Sequence, residues 1–514
     1  MTPKETRRYN QRWIGLIFIG ISVIVISLDN TILNTALPSI SNTLGATTNE
    51  LQWMVDGYVL VFAALLLTTG SIGDRIGRKK ALQLGLLWFM IVSVAAALST
   101  STTMLIITRG VLAVGSAFIL PATLSIISAT FPSKERAQAI ALWAAIYAFG
   151  VGLGPVIGGF LLEHFTWNSV FLVNVPTCLI AIAGGAFFLN DSKDQHAPKV
   201  DIPGVILSVV GLFALVYGII DAGVYGWTDP NVLAALGIGT VVLIAFGWWE
   251  ARSPNAMLPM HFFKNMSFTS ASITLALVTF GQFTILFFLI PYLQTIQGYS
   301  TLESGLRVLP LAITLTVMAT LSARISRRLG TKYTVALGIA VAAAGYIFIA
   351  LTFRVDTAYV WVVVAQIIVG FGMGTAFSPA TNSIMGSVPI DKAGVGSAMN
   401  DTTRQLGGAL GIAILGTVLN QIYISRLGGL SSLISPAQLA SSESSVEAAH
   451  LVAAALKNPA TAHSLISTAD QAYVVGMNQA LIVGAVVLIG ASLFALRFLP
   501  AQVHRNEESP AIGD

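Results

Sequence analysis

Fourteen long apolar runs dominate this sequence. Each spans about 20 residues or more, the length that an α-helix needs to cross the hydrocarbon core of a bilayer. The runs are continuous rather than alternating, which disfavours a transmembrane β-barrel. We place them at roughly 13–36, 53–72, 81–99, 104–130, 137–162, 169–189, 203–223, 231–250, 268–292, 303–323, 332–352, 359–385, 393–423 and 474–499. The expected fold class is therefore an all-α membrane protein with fourteen transmembrane helices.

The composition excludes a water-soluble domain of this size. Only 10% of the 514 residues are charged and 55% are hydrophobic, whereas soluble proteins carry roughly 25% charged residues. The first run, from Trp13 to Leu33, is too long for the apolar part of a signal peptide and has no small-residue cleavage site, so we expect it to be a span. The single cysteine, Cys178, excludes a disulfide within the chain.

The distribution of lysine and arginine predicts the orientation in the membrane. With the N-terminus inside, 21 of the 27 basic residues fall in the cytoplasmic segments. Three fall outside and three within spans: Arg354, Arg426 and Lys457, and Arg109, Arg307 and Arg404, respectively. Cytoplasmic loops carry such an excess of positive charge. We therefore expect both termini in the cytoplasm and a chain that crosses the membrane many times.

The second half of the chain repeats the first. Gly77 and Gly85 correspond to Gly330 and Gly338, each 253 residues further on. Six spans per half leave two spans between the halves. We expect an N-terminal six-helix bundle, a linking helix pair, a C-terminal six-helix bundle and a cytoplasmic tail at 1–195, 196–262, 263–499 and 500–514. Two such halves with a site at their interface form a common plan of transporters.

One long external stretch is expected near the end of the chain, at 424–473. It is rich in serine and alanine, and 445–456 has the pattern of a short surface helix. We interpret the stretch as a variable connector, with a lid over an exit path as the alternative.

The segment from Gly70 to Lys80 joins the second and third spans. Its glycines permit a tight turn between closely packed helix ends, and a carboxylate is favoured near a helix N-terminus. We expect it to be a gating hinge formed by Gly70, Gly73, Asp74, Arg75, Gly77 and Arg78. No Gly-Lys-Ser/Thr sequence follows, so the segment is not a phosphate-binding loop and predicts no ATP site.

A second glycine-rich segment lies in the fifth span. Gly150, Gly154 and Gly158 share one helix face, where small residues allow close helix packing, and Gly159 follows directly. Pro155 removes a backbone hydrogen bond and permits a bend. We expect this face to form a bendable, leak-tight seam between the halves, beyond its role in packing.

Of the charged residues within the spans or at their outer parts, five are candidates for a function. Asp29 is inside the first span, where a charge costs about 2.5–3.5 kcal/mol and indicates a functional site. Its counterpart in the repeat, Gln282, is neutral, so the fold does not need an acid there. Asp56 could face the same cavity, and Arg109 must pair across helices or line a wet cavity. Asp401 and Arg404 lie on one helix face and could simply neutralise each other; Asp29 and Asp56 could likewise be structural acids.

These motifs resemble the fourteen-helix drug:proton antiporter group of the major facilitator superfamily. The resemblance rests on 70–80, on 150–159, on Leu-Asp-x-Thr-x-x-Asn-x-Ala-Leu-Pro at 28–38 and on Trp53 to Tyr58. It implies the two-bundle fold with two additional central helices, in the bacterial cytoplasmic (inner) membrane. It also implies that Asp29 and Asp56 take part in proton coupling or cation recognition, that Arg109 takes part in proton transfer, and that Asp74 steers gating. Asp401 matches an acidic position in the thirteenth helix of multidrug members.

We therefore expect a proton-driven exporter of amphipathic, cationic compounds, without an enzymatic activity or a cofactor. Protons, small molecules and the bilayer are the expected partners, nucleic acid is not, and we expect a monomer. The predicted cargo contacts are Asp29, Asp56, Asp401, Gln282, Phe283, Phe287 and Phe377. A proton and a cationic cargo would alternate on Asp29 or Asp56. An exporter of one metabolite or lipid-like molecule, and a non-transporting sensor or scaffold, are the alternatives.

Overall fold

A computed structural model describes residues 11–44, 46, 48–193, 201–253, 256, 260–389, 393–443 and 445–500. Within these ranges the chain forms helices and no strand. The α-helices are α1 Arg12–Leu44, α2 Thr48–Ile76, α3 Arg78–Ala97, α4 Thr102–Thr130, α5 Ser133–His164, α6 Ser169–Leu172, α7 Asn174–Phe188, α8 Ile202–Tyr225, α9 Pro230–Glu250, α10 Met266–Pro291, α11 Thr301–Leu329, α12 Thr331–Thr352, α13 Tyr359–Gly386, α14 Ala393–Leu427, α15 Pro436–Glu443, α16 Val446–Ala455 and α17 Pro459–Phe498. Short 3₁₀ turns cover Met260–Lys264 and Gly428–Leu430, and a π-helical turn, Tyr292–Ile296, follows α10.

The helices confirm the expected class of fold. Thirteen are long and apolar enough to cross a bilayer, α6 and α7 counting together. In α2, the parts Trp53–Ala63 and Thr68–Ile76 meet at an angle of 53°, and they make a fourteenth span when taken together. Side-chain caps begin many helices: the Ser101 hydroxyl accepts a bond from the Met104 amide, and Ser300 and Glu303 form a capping box.

The repeat predicted from the sequence is visible in the backbone. Gly77 joins α2 to α3 with φ +112°, and Gly330 joins α11 to α12 with φ +84°. Residues with a side chain rarely adopt such values. Both turns lie at one end of the molecule, which we call the Gly77 side and which the basic residues predict to be cytoplasmic.

The additional helix pair lies on one flank of the two bundles. Helix α9 packs against α8, where Gly211 and Gly239 allow the two backbones to approach closely. Helix α8 contacts both α2 of the first half and α14 of the second. Trp53 of α2 stacks on Tyr217 of α8, with ring centroids 5.7 Å apart. The additional pair therefore bridges the two halves through α8.

The expected external stretch 424–473 is largely helical. Helix α14 continues to Leu427, and α17 begins at Pro459 rather than near 474. Helix α16 matches the short surface helix predicted at 445–456. The His450 ring contacts the Asp470 carboxylate at 2.7 Å and fastens α16 to α17. The stretch is thus a small helical layer on the second half, at the end opposite the Gly77 side.

Candidate functional site

The acid that the sequence singles out is paired with the arginine that the sequence left without a partner. An Arg109 guanidinium nitrogen (Nη1) of α4 lies 2.5 Å from Asp29 Oδ2 of α1, and both residues are 1% exposed. The Asn174 amide, at the start of α7, donates to Asp29 Oδ1 at 3.2 Å and to the Ser93 hydroxyl at 3.3 Å. Three helices of the first half thus converge on one carboxylate.

The arginine of this pair has further partners in the same half. Its Nε donates to the Met54 carbonyl at 3.2 Å, and its guanidinium lies 4.3 Å from the ring centre of Tyr58. The Tyr58 hydroxyl in turn lies 2.6 Å from the Ser116 hydroxyl. A buried ion pair that lacks such additional bonds does not recover the cost of removing two charges from water. This network therefore supplies both buried side chains with hydrogen-bond partners inside an apolar bundle.

Direct competition between proton and cargo requires a carboxylate that faces the space between the halves, and Asp29 does not face it. Every described partner of its carboxylate belongs to the N-terminal half, so in this conformation it faces its own bundle and not the second half. Asp56 lies on α2, and its side chain is outside the described part of the structure. The roles of both acids in coupling stay predictions.

A second buried ion pair lies where the two halves meet. Arg404 Nη1 is 3.1 Å from Asp401 Oδ1 on α14, as their spacing predicts. The guanidinium also faces Phe377 of α13 and, from the other half, Tyr147 and Trp143 of α5. The surroundings of this pair therefore include both halves, and a role beyond mutual neutralisation of the two charges stays a prediction.

Gln282 also lies between the halves. It lines a cavity of about 20 Å³ together with residues of α5, α11 and α13, and within the described part of the chain its buried side-chain oxygen has no hydrogen-bond partner. Such a volume holds about one water molecule and no drug-sized cargo. Phe283 packs beside Gly408, and Phe287 is half exposed near Gly416. Of the predicted cargo contacts, Gln282, Phe377 and Asp401 thus lie at the interface.

The predicted gating residues of the first motif all lie at one corner of the Gly77 side: Gly70, Gly73, Asp74, Arg75, Gly77 and Arg78. Asp74 Oδ1 accepts a bond from Arg78 Nε at 2.8 Å, and both side chains are buried, whereas Arg75 is exposed. Lys79 donates to the Ala186 and Leu189 carbonyls at 2.8 and 2.9 Å. The turn is thereby fastened to the end of α7, and its role in gating stays a prediction.

The prediction for the second glycine motif is wrong about which face forms the seam. Gly150, Gly154 and Gly158 lie against Ser27, Thr31 and Thr35 of α1, in the same half. The seam with the second half is made by the adjacent face of α5: Pro155 packs on Gly305, Gly159 on Leu302, and Gly152 on Ala312. Helix α5 has small residues on two faces, and the sequence does not say which one meets the other half.

Sequence reasoning missed several residues of both ion-pair sites. Asn174 is an amide in an apolar run, a weak signal that is equally typical of a helix cap. Trp143 lies ten residues inside α5, away from the membrane interface where tryptophan is common, and that position was a usable signal. Tyr58 belonged to a quoted motif but had no assigned role.

Comparisons with known proteins place these features in a family. The family model described as Major Facilitator Superfamily matches residues 19–412. The multidrug efflux pump LfrA of Mycolicibacterium smegmatis is 33% identical over 96% of this chain and 97% of its own. The methyl viologen resistance protein SmvA of Salmonella typhimurium is 32% identical over 90% and 93%. The tetracenomycin C resistance and export protein of Streptomyces glaucescens is 29% identical over 96% and 92%.

Among solved structures, a bacterial homologue of the human lysosomal transporter Spinster superposes with a TM-score of 0.59. It covers 99% of this chain and 100% of its own at 18% identity, so the likeness concerns the fold alone. The two helical halves and their buried charges define a membrane transporter. The chain belongs to the major facilitator superfamily.

Proposed function

We propose that this protein is a proton-coupled antiporter that exports amphipathic cations across the bacterial cytoplasmic membrane. The observation that carries the proposal is the Asp29–Arg109 pair, two charges held at 1% exposure inside an apolar bundle. Charges at such depth are costly and mark ion and proton pathways. The fold does not need them, because the equivalent position of the second half is Gln282.

The class of cargo follows from the relatives and from the interface. One relative is named for resistance to methyl viologen, an organic dication, and another is named a multidrug efflux pump. At the interface, the Asp401 carboxylate pairs with Arg404, whose guanidinium lies 5.1 Å from the ring centre of Phe377. The 21 basic residues predicted on the Gly77 side support its assignment to the cytoplasm, so that export runs from this side to the other.

In the proposed cycle, proton and cargo occupy different sites and exchange through the movement of the halves. Protonation of Asp29 removes its charge and weakens its hold on Arg109. Because Arg109 and Asn174 join α1, α4 and α7, their rearrangement changes the shape of the first half. Cargo bound between the halves shifts the same equilibrium between conformations of the first half. Such coupling is reciprocal: the factor by which protonation changes the affinity for cargo is also the factor by which cargo changes the affinity for the proton.

The test is ethidium transport by protein reconstituted in vesicles whose lumen is more acidic than the medium. For one-for-one exchange with this monovalent cation, a gradient of one pH unit sustains about tenfold accumulation. We expect Asp29→Asn to lose this accumulation and Asp356→Asn, the same change on an exposed acid, to keep it. A protonophore should abolish the wild-type signal.

Because Asp29→Asn leaves Arg109 buried without its partner, the double variant Asp29→Asn/Arg109→Gln checks that folding is not the cause. Full gradient-driven uptake by either variant would remove the pair from the coupling role.

A second candidate is an exporter of one compound, since some relatives are named for single antibiotics, such as tetracenomycin C and puromycin. A panel of fluorescent cations and neutral drugs separates the two: uptake of several unrelated cations supports the broad exporter, and uptake of a single compound supports the specific one.

A further inference from the structure

Arg404 is enclosed by aromatic rings that come from both halves. Its guanidinium carbon lies 4.2 Å from the ring centre of Tyr147, 5.1 Å from that of Phe377 and 5.5 Å from that of Trp143. Tyr147 and Trp143 belong to α5 of the first half, and Phe377 belongs to α13 of the second. All four side chains are at most 2% exposed. We call these three rings together with Asp401 the seam cage.

The ion pair inside the seam cage is incompletely satisfied. Asp401 Oδ1 accepts from Arg404 and, at 3.2 Å, from the Asn400 amide. Asp401 Oδ2 and Arg404 Nε, however, are buried without a hydrogen-bond partner among the described residues. A buried ion pair whose polar atoms are not all hydrogen-bonded contributes little to stability. The seam cage is therefore better explained as a site where another cation can replace Arg404 than as a structural element that stabilises the fold.

We propose that the seam cage is a binding site for a monovalent organic cation and that Arg404 occupies it in this conformation in place of cargo. The proposal rests on the proposed function and names the part of the interface that recognises the cation. Aromatic faces combined with a carboxylate are the groups that recognise quaternary ammonium and other weakly hydrated cations. A guanidinium is planar and weakly hydrated, so it resembles the flat aromatic cations that the site would take.

The location of the seam cage lets cargo reach it from the Gly77 side. Asp401 lies eight residues from the start of α14, and Trp143 lies ten residues from the start of α5. At 1.5 Å per residue the cage is roughly 12–15 Å inside the helix ends of that side. When the halves separate there, α5 carries two rings away from Asp401 and Phe377. Arg404 then loses its aromatic cover, and its long side chain can leave the carboxylate to an incoming cation.

Arg404 would therefore act as a competitor that closes the site when no cargo is present. The halves can come together around the guanidinium without leaving Asp401 as an unpaired buried charge. With cargo bound, the organic cation fills the same role and the guanidinium moves aside. Selection against neutral molecules follows, because a neutral molecule cannot replace the guanidinium beside Asp401.

The test measures ethidium binding by fluorescence anisotropy to the purified full chain in nanodiscs, without any gradient. We expect Arg404→Met to bind ethidium about tenfold more tightly than the wild type, because the competitor is gone. The double variant Asp401→Asn/Arg404→Met keeps the cage free of unpaired charge and should lose that gain. Trp143→Leu in the Arg404→Met background should weaken binding severalfold.

Arg307→Met is the matched control. Arg307 also lies over two rings, 3.7 Å from the centre of Tyr299 and 5.3 Å from that of Tyr359, with the Glu303 carboxylate 3.9 Å away, but all three of these partners belong to the second half. We expect its ethidium affinity to equal that of the wild type. Unchanged or weaker binding by Arg404→Met would overturn the proposal, and so would an equal gain in the Asp401→Asn double variant.

Because no gradient is present, this outcome is independent of proton coupling. Tighter binding by Arg404→Met together with gradient-driven uptake by Asp29→Asn would retain the seam cage and reject the coupling role of Asp29. Unchanged ethidium binding by Arg404→Met together with loss of gradient-driven uptake in Asp29→Asn would reject the seam cage and retain the coupling role of Asp29.

Discussion

At the scale of single residues, two glycines share a backbone conformation but differ in their surroundings. Gly77 and Gly226 both have positive φ, +112° and +85°, and both lie in turns at helix ends. A Cβ at position 226 would meet nothing within 4 Å. Gly77 instead lies in the predicted gating hinge, between the Asp74–Arg78 pair and the segment after α7, whose Ser192 carbonyl accepts a bond from the Arg78 amide.

We expect Gly77→Ala and Gly226→Ala each to lower stability by about 1–3 kcal/mol, because both force a side chain into a strained backbone conformation. Gly77→Ala should cost more of the two, since its Cβ would also lie 2.6 Å from an oxygen of the Asp191 carboxylate, which would have to move aside. Only Gly77→Ala should slow transport turnover, since only that turn has to move relative to its neighbours. Thermal unfolding and initial rates of ethidium uptake measure the two effects. Equal slowing by both variants would show that the 70–80 segment has no special part in gating.

The functional residues that sequence reasoning found were those whose chemistry is unusual for their place. Asp29 stood out because a carboxylate in a membrane helix is costly. Arg109 stood out for the same reason, but its pairing with Asp29 did not, since the two residues are 80 positions apart in the chain. Asn174, 145 positions away, did not stand out at all. Which helices converge on a residue is decided by packing of the whole bundle, and hydropathy does not encode it.

At the scale of helices, α5 is the element that holds the transporter together. One face packs its glycines on the hydroxyl-bearing residues Ser27, Thr31 and Thr35 of α1, and the Thr31 hydroxyl donates to the Val151 carbonyl at 3.1 Å. The adjacent face packs on α11 of the other half, where the Thr316 hydroxyl donates to the Ala145 carbonyl at 3.2 Å. The fifth span and its small residues were predictable from the sequence. Which of its faces packs on α1 and which packs on α11 was not predictable, because both faces carry small residues.

We expect Gly305→Ala to disturb the seam between the halves. Its Cβ would lie 2.9 Å from the Pro155 carbonyl carbon and 3.0 Å from the Val156 nitrogen, which are backbone atoms that cannot turn aside. Overpacking of this kind costs about 1–3 kcal/mol, and here it separates α11 from α5. Thermal stability and ethidium uptake should both fall.

Gly490→Ala is the control for this substitution. It is the same change in α17, at an exposed position with nothing within 4 Å, and it should be neutral or slightly stabilising. Wild-type stability in Gly305→Ala would mean that the seam is looser than its backbone contacts indicate.

At the scale of the whole molecule, the additional helix pair makes the two flanks of the transporter unequal. One flank is the direct α5–α11 seam. On the other, α2 and α14 meet at Ala63 and Leu406, and Tyr217 of α8 covers that contact. The Thr417 hydroxyl of α14 donates to the Ala222 carbonyl of α8 at 3.1 Å. The sequence predicted two extra spans between the halves, but not that one of them would touch both, because their hydropathy is as uniform as that of any span exposed to lipid.

If the halves rock, α8 can follow only one of them. We therefore expect that a short bismaleimide joining Ala222→Cys to Thr417→Cys leaves transport largely intact, because α8 can then move with the second half. The same reagent joining Trp53→Cys to Tyr217→Cys should also be tolerated, since α8 then moves with the first half. Both links in one molecule connect the halves through α8 and should stop ethidium uptake. All variants carry Cys178→Ala, so that the introduced cysteines alone react. A link between Gly218→Cys and Leu236→Cys joins α8 to α9 within the additional pair and controls for effects of the reagent itself. Continued uptake by the doubly linked protein would mean that the halves do not separate along this flank, and arrest by one link alone would show which half α8 must leave during the cycle.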